Sequence, residues 1–217
     1  MGDENKLSGV ETFAFFEDPD AIDLFAKIDF QLKDGLHFQD REHQHQFFLF
    51  IKKHEQSLNL FYQKYYGVNL NYGGEGSDRY YFLDFNPSDR GEIDGDHRYF
   101  LKPEYVIIGF MIYKIIYIDR NFDLTSIKKL QSTILTDYEE LRDDIYRLLA
   151  KLRRSNATSL ATTKVGDIVL DALKEFKKLG WVIMDEDFFD VMPSFTRLNK
   201  VYSDYINNFE ELVKSQV

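Results

Sequence analysis

The side chains able to ligate a metal or move a proton gather at two places in the sequence. His37, His43 and His45 lie near Asp40 and Glu42, and farther along Glu139, Glu140, Asp143 and Asp144 follow one another. A metal needs ligands that converge on one point. On a helix His43 and His45 would stand about 200° apart, unlike an i, i+4 pair, so they read as surface or capping histidines. The acidic quartet does contain i, i+4 pairs and could chelate a cation, but no partner motif supports catalysis. A solvated acidic helix face explains it, since water screens like charges. The chain has no cysteine, which removes disulfides, thiolate zinc sites and a thiol nucleophile. There is no G-x-x-x-x-G-K-[ST] phosphate loop. The glycines of Gly73-Gly74-Glu75-Gly76 lack the lysine and hydroxyl that would follow in such a loop, and read as a hairpin turn. The leader stretch LSGV, Leu7 to Val10, lacks the glycine that would continue an ABC-type signature. These residues predict no enzyme, no cofactor and no metal.

The remaining chemistry is that of charge and aromatic surface. Arg153 and Arg154 close one helical pattern, Lys164 opens the next, and Lys174, Lys177 and Lys178 end it. Folded together they make one basic strip, and two readings fit it: phosphate contact, or solubilisation aided by cations near helix C-termini. Asp167 and Asp171 fall on the exposed side of the same helix, where a sequence-reading helix would meet the major groove, so base readout is not expected. Directly after the strip come Trp181, then Asp185, Glu186 and Asp187, then Phe188 and Phe189. Three carboxylates at the tip of a hairpin are wrong for tracking phosphates. They suit a surface turned away from DNA or toward a basic segment of a protein partner, with some of the three aromatics available to receive it.

Composition sets the frame for both sites. The 217 residues carry 44% hydrophobic and 16% aromatic side chains, enough for one sizeable core or two small ones. A formal net charge of -10 and a pI near 5.0 exclude a protein that wraps nucleic acid with its whole surface; any DNA contact must come from a local patch. The acidic start lacks a secretion signal, and the most apolar run, residues 105–118, is too short to span a bilayer as a helix and contains Lys114. No membrane association and a cytoplasmic location follow as expectations.

The elements that position these residues repeat an order. Residues 21–35 show a helical stripe of Ile22, Phe25, Ile28 and Leu32 ending at Gly35; amphipathic stretches cover 42–53 and 56–66, and a glycine-containing hairpin follows. After a polar segment, Pro103 opens a buried helix, with further helices over 125–135, 137–153 and 164–179. In the last of these Val165, Ile168, Val169, Ala172, Phe176 and Leu179 share a face. Gly180 ends it, 181–184 and 188–192 pair as a hairpin, and 194–214 forms a closing helix. The pattern predicts a mainly α protein with small β-hairpins, an α+β fold of tandem winged-helix domains. Its parts are a loose, flexible acidic leader over 1–19, a first winged helix over 20–90, a linker over 91–97, a second winged helix over 98–195 and a C-terminal helix over 196–217.

The runs LFAKIDFQLKDGLHF, LFYQKYYGVNL, RYYFLDF, YVIIGFMIYKIIY and, above all, LKEFKKLGWVIMDEDFFDVMPSFTRL resemble, in that order, the MukE and MksE proteins, the tandem winged-helix KITE subunits of bacterial condensins. The short length and the lack of a long acidic tail are more similar to MksE, or to the corresponding subunit of Wadjet plasmid-defence systems. The resemblance implies a non-catalytic, nucleoid-associated homodimer that binds a MukF/MksF-like kleisin. Through the kleisin it would reach a MukB/MksB-like SMC ATPase that holds or extrudes double-stranded DNA without sequence preference. It also implies DNA contact by the second unit, at Lys164 and the Lys177-Lys178 pair. Aromatic residues over 20–66 exceed what one small winged helix buries, and place the dimer contact in the first unit. Companion genes decide between chromosome maintenance and plasmid defence, an added toprim-like nuclease pointing to the latter. The alternative with the same fold, a dimeric winged-helix transcriptional regulator, would show a basic recognition helix and wing, which this sequence lacks. A small hydrolase or nuclease would need converging catalytic groups.

Overall fold

The structure, a computed structural model, describes residues 13–84, 93, 101–136, 147, 162–208 and 211. These residues are mainly helical with small antiparallel sheets, the α+β class expected. The chain divides into two compact units, Met1–Tyr72 with Tyr80–Arg98, and Gly73–Arg79 with Tyr99–Val217. Of the linker expected over 91–97, only Ile93 is described, and it is buried in the first unit's core.

In the first unit α1 (Ala21–Lys33), β1 (Phe38–Gln39), α2 (His45–Lys53), α3 (Glu55–Tyr66), β2 (Asn69–Gly73) and β3 (Tyr80–Asp84) surround one core. The sheet order is β1-β3-β2, with Phe38 opposite Tyr81. α2 starts later than the periodicity suggested, because residues 41–44 form a turn in which the Gln44 side-chain oxygen accepts the Gln39 amide at 2.9 Å. Two expectations are corrected. The end of the acidic leader is not loose: Phe13 and Phe15 are buried, Phe15 fully, with ring centroids 5.5 Å from Phe61. Nor does Ile22 join the buried stripe of α1, being 88% exposed. At 100° per residue it lies about 90° from the mean direction of Phe25, Ile28 and Leu32, so those three can face the core only by turning Ile22 out. Beside that stripe sits an ion pair, Lys33 to Asp29 at 2.6 Å, with the ammonium 4.0 Å from the Tyr66 ring centroid. Desolvation opposes the charge on Lys33, yet the bonds to Asp29 and Tyr66 outweigh it and raise the lysine's pKa.

In the second unit α4 (Pro103–Tyr113) continues through a π-helical turn over Lys114–Ile118, followed by α5 (Ile127–Thr136), α6 (Thr162–Lys178), β4 (Val182–Asp185), β5 (Phe188–Val191) and α7 (Arg197–Asn207). α4 is apolar on every side and is buried nearly all round. Gly109 lets its neighbours approach: a Cβ there would lie 3.0 Å from Leu198 and 3.2 Å from Phe176. The five α6 residues expected on one face, and Leu179 just past its end, are all buried, Ile168, Val169, Ala172 and Phe176 completely. Each large side chain so buried contributes about 1.5–3 kcal/mol. The helix expected over 194–214 begins as a 3-10 turn at Pro193–Thr196, where Ser194 donates to the Gly180 carbonyl at 2.8 Å, and becomes α-helical only at Arg197. Of the helix expected over 137–153, Arg147 alone is described, and it is helical; Glu139, Glu140, Asp143 and Asp144 lie outside the described residues. Among the described residues no helix is long and apolar enough to cross a membrane.

Candidate functional site

The acidic tip and the last three lysines of the basic strip, Lys174, Lys177 and Lys178, lie where α6 runs into the β4–β5 hairpin. α6 stops at Gly180, whose φ of 72° is a left-handed conformation open to glycine at little cost, and the chain turns back into β4. Val182 pairs with Val191, Ile183 with Asp190, Met184 with Phe189 and Asp185 with Phe188. Only Glu186 and Asp187 form the loop, and Glu186 takes φ 47°, unusual for a residue with a side chain.

Strand alternation sorts the hairpin into two faces. Val182 and Phe189 are buried, while Ile183, Asp185, Phe188 and Asp190 point outward; Ile183 is 46% and Phe188 43% exposed. Of the three aromatics singled out from sequence, the structure therefore places two in the core. Trp181 packs 5.7 Å from Phe176 and edge-on to Phe195 at 6.1 Å, and Phe189 is fully covered. Phe188 alone presents its ring outward. Ile183, which the sequence reasoning overlooked, completes a checkerboard of two apolar and two acidic side chains. The signal was there in the strand period: Ile183 is two residues from Asp185 and opposite Asp190.

The three tip carboxylates differ in kind. Asp185 and Glu186 are exposed. Asp187 is built into the fold: its carboxylate accepts the Ser126 hydroxyl at 2.8 Å and the Lys128 amide at 3.0 Å, capping the start of α5. Backbone bonds run beside it, Ile127 N to Asp187 O at 2.8 Å and Phe189 N to Thr125 O at 2.7 Å. The Ser126 and Lys128 hydrogen bonds hold the Asp187 carboxyl below its ordinary range. This pairing also delays the start of α5, since Thr125 and Ser126 are engaged with β5 rather than helical.

The basic strip is only partly in view. Arg153 and Arg154 lie outside the described residues, and Lys164 sits in the first turn of α6, about 21 Å along the axis from Lys178. Lys174, Lys177 and Lys178 gather at the other end. Each has a neighbour: Lys174 pairs with Asp171 at 3.3 Å, Lys178 with Glu175 at 2.8 Å, and Lys177 donates to the Met184 carbonyl at 3.1 Å. That last bond covers the outer edge of β4, the common way a lysine blunts an edge strand.

The candidate metal ligands are used otherwise. His37 is buried, its Nδ1 3.0 Å from the Gly35 carbonyl and its ring stacked on Phe82 at 5.2 Å, and His45 pairs with Asp40 at 2.5 Å. Among the described residues no three His, Asp or Glu side chains converge as metal ligands. The arrangement at the hairpin can bind but holds no set of groups suited to bond making. A family model described as condensin complex protein MksE matches residues 23–202. No curated protein matches the sequence.

Proposed function

Because the chain belongs to the MksE family of condensin complex proteins, we propose that it is a non-catalytic subunit whose second, winged-helix unit captures a kleisin segment on the outer face of the β4–β5 hairpin. The observation that carries this reading is the checkerboard of Ile183, Phe188, Asp185 and Asp190, two apolar side chains left exposed on a small sheet and flanked by carboxylates. An extended kleisin segment alternating basic and apolar residues complements it in both charge and pleat. Asp185 and Glu186 would steer the encounter, while Phe188 and Ile183 would supply most of the affinity. The test is binding of an MksF-like kleisin, with affinity read by calorimetry and the association rate by stopped-flow fluorescence. Phe188→Ser should weaken binding about ten-fold or more, and Asp185→Ser with Glu186→Ser should slow association and flatten its salt dependence. Asp187 is left intact, since changing it would disturb α5. Unchanged affinity in the Phe188 variant would refute the hairpin as the kleisin site.

The same complex would work in the cytoplasm on the nucleoid, gripping double-stranded DNA without sequence preference, in chromosome organisation, loop extrusion or plasmid defence. Arg153, Arg154, Lys164, Lys174, Lys177 and Lys178 are the proposed phosphate contacts. The pairing of Lys174 and Lys178 with acidic neighbours supports weak binding by the isolated chain and stronger binding once partners add their own charge. Each contact removed should lower the slope of log K against log salt by about one unit. Lys174→Gln with Lys178→Gln in the full complex is the variant of choice, because Lys177 also covers the edge of β4. A slope that does not move would place the DNA elsewhere. The homodimer is proposed through the outer face of α1, where Ile22, Ala26 and Phe30 stand exposed at i, i+4 and i+8.

A further inference from the structure

The two edges of the β4–β5 sheet are not alike. The edge beyond β5 is already taken: Phe189 N donates to Thr125 O at 2.7 Å and Ile127 N to Asp187 O at 2.8 Å. Among the described residues no strand lies beyond β4. In an antiparallel pair alternate residues bond across the ladder, and those between them turn their amides and carbonyls away from it. Met192 N donates to Trp181 O at 2.8 Å, so Trp181, and with the same parity Ile183 and Asp185, bond toward β5. Val182 and Met184 must then turn their main-chain groups outward. Val182 is 2% exposed, whereas Met184 is only partly buried and can be reached.

One side chain shows where the Met184 carbonyl points. From the last turn of α6, Lys177 donates to it at 3.1 Å. Lys174 and Lys178 hold carboxylates, those of Asp171 and Glu175. Lys177 is bonded instead to a neutral acceptor at an exposed position, where water competes and the net contribution is small. It is therefore a removable cover on an edge able to take a strand. A hairpin of two short strands is a small platform, and main-chain bonds along an edge give such a sheet affinity for an extended chain.

We propose that the extended kleisin segment adds as a third strand to the outer edge of β4, pairing with the Met184 amide and carbonyl, and that Lys177 is the latch it displaces. This rests on the hairpin reading above and specifies how the partner lies. A basic side chain of the segment stands beside Asp185, and an apolar one two residues away stands beside Ile183. A second copy of this chain added at the same edge would set two hairpins carrying Asp185, Glu186 and Asp190 side by side, which like charges oppose. A basic segment meets no such repulsion. Once displaced, the Lys177 ammonium is free for the phosphate contact proposed for it.

The experiment follows hydrogen exchange at single amides by NMR in the full chain, alone and saturated with an MksF-like kleisin. Kleisin affinity is measured beside it for Lys177→Met, Lys178→Met and Phe188→Ser. Exchange at the Met184 amide should slow about ten-fold or more in the complex. Lys177→Met should bind about five-fold more tightly, because no hydrogen bond has to be broken first. Lys178→Met removes the same charge one residue on and should stay within about two-fold of the unaltered chain. A Met184 amide that keeps its free rate in a complex weakened by Phe188→Ser would overturn the strand addition and leave the hairpin face standing. Unchanged affinity in Phe188→Ser would remove the face, and this proposal with it. Equal gains in both lysine variants would make simple charge the cause, and a Lys177→Met chain that binds no better would remove the latch. Met184 protection that grows with chain concentration in the absence of kleisin would make a second copy the occupant and refute the assignment.

Discussion

Phe30→Ser is the sharpest test of the proposed dimer, because its effect can be worked out from exposure. Ile22 is 88% and Phe30 59% exposed, and both belong to one face with the small Ala26 between them. Two copies of α1 packed antiparallel about Ala26 place Ile22 of one copy against Phe30 of the other, each about 6 Å along the axis from the centre. Full burial of such a side chain contributes about 1.5–3 kcal/mol, so the part of Phe30 still exposed has about 1.5 kcal/mol to gain in a dimer. A two-fold contact counts it twice. The serine variant should therefore dissociate roughly 100-fold more readily, about 3 kcal/mol at 1.4 kcal/mol per decade. Sedimentation equilibrium over a range of concentrations reads this directly, with Val201→Ser, an exposed apolar residue on α7, as control. The fold of the monomer should not suffer, since Phe30 faces solvent. A dissociation constant that stays within three-fold, or a wild-type chain that is monomeric at every concentration, would refute the reasoning.

Glu186→Gly should stabilise the second unit: relief of the left-handed strain, about 1–2 kcal/mol, exceeds the added flexibility of glycine, about 0.5–1 kcal/mol, and thermal unfolding should rise by a degree or two. A fall in Tm would contradict it. Gly74 and Gly76 both have positive φ, but a Cβ on Gly74 would lie 2.0 Å from the Asp78 carbonyl oxygen whereas one on Gly76 meets nothing within 4 Å. Gly76→Ala should cost about 1–2 kcal/mol and Gly74→Ala clearly more, measured by urea unfolding; equal losses would mean that the turn adapts freely. Burial, helped by Tyr113, Asp190 and Asp78, pushes the Tyr117 hydroxyl up to about 12. The folded chain then holds a proton that the unfolded chain releases near pH 10, so this stabilisation is complete below pH 10 and is lost as pH rises towards 12. The urea midpoint of Tyr117→Phe should fall less steeply than wild type over that window, and parallel curves would rule the assignment out.

Local periodicity carried much of the fold. The α6 face from Val165 to Leu179, the stop at Gly180, the two-strand hairpin and the buried helix opened by Pro103 are all set by residues within a few positions of one another, and a sequence displays such relations directly. Family membership was legible for a related reason, since the order and spacing of these core patterns is itself the signature. What only tertiary structure decided are the relations between distant residues. Asp187 reads as one of three equal carboxylates until Ser126, 61 positions away, is seen donating to it. Trp181, Phe188 and Phe189 look alike as exposed aromatics, but the strand period and packing on Phe176 and Phe195 bury two and leave the third outside with Ile183. Phe13 and Phe15 leave the leader because Phe61 offers a surface to cover, and Lys53, by sequence one more surface cation, is held at 2.7 Å by Asp18, 35 positions away. A sequence fixes which side chains can bury or pair. Which of several equivalent candidates does so depends on what the rest of the chain places beside each one, and there the core takes apolar area first and leaves the remainder at the surface to bind.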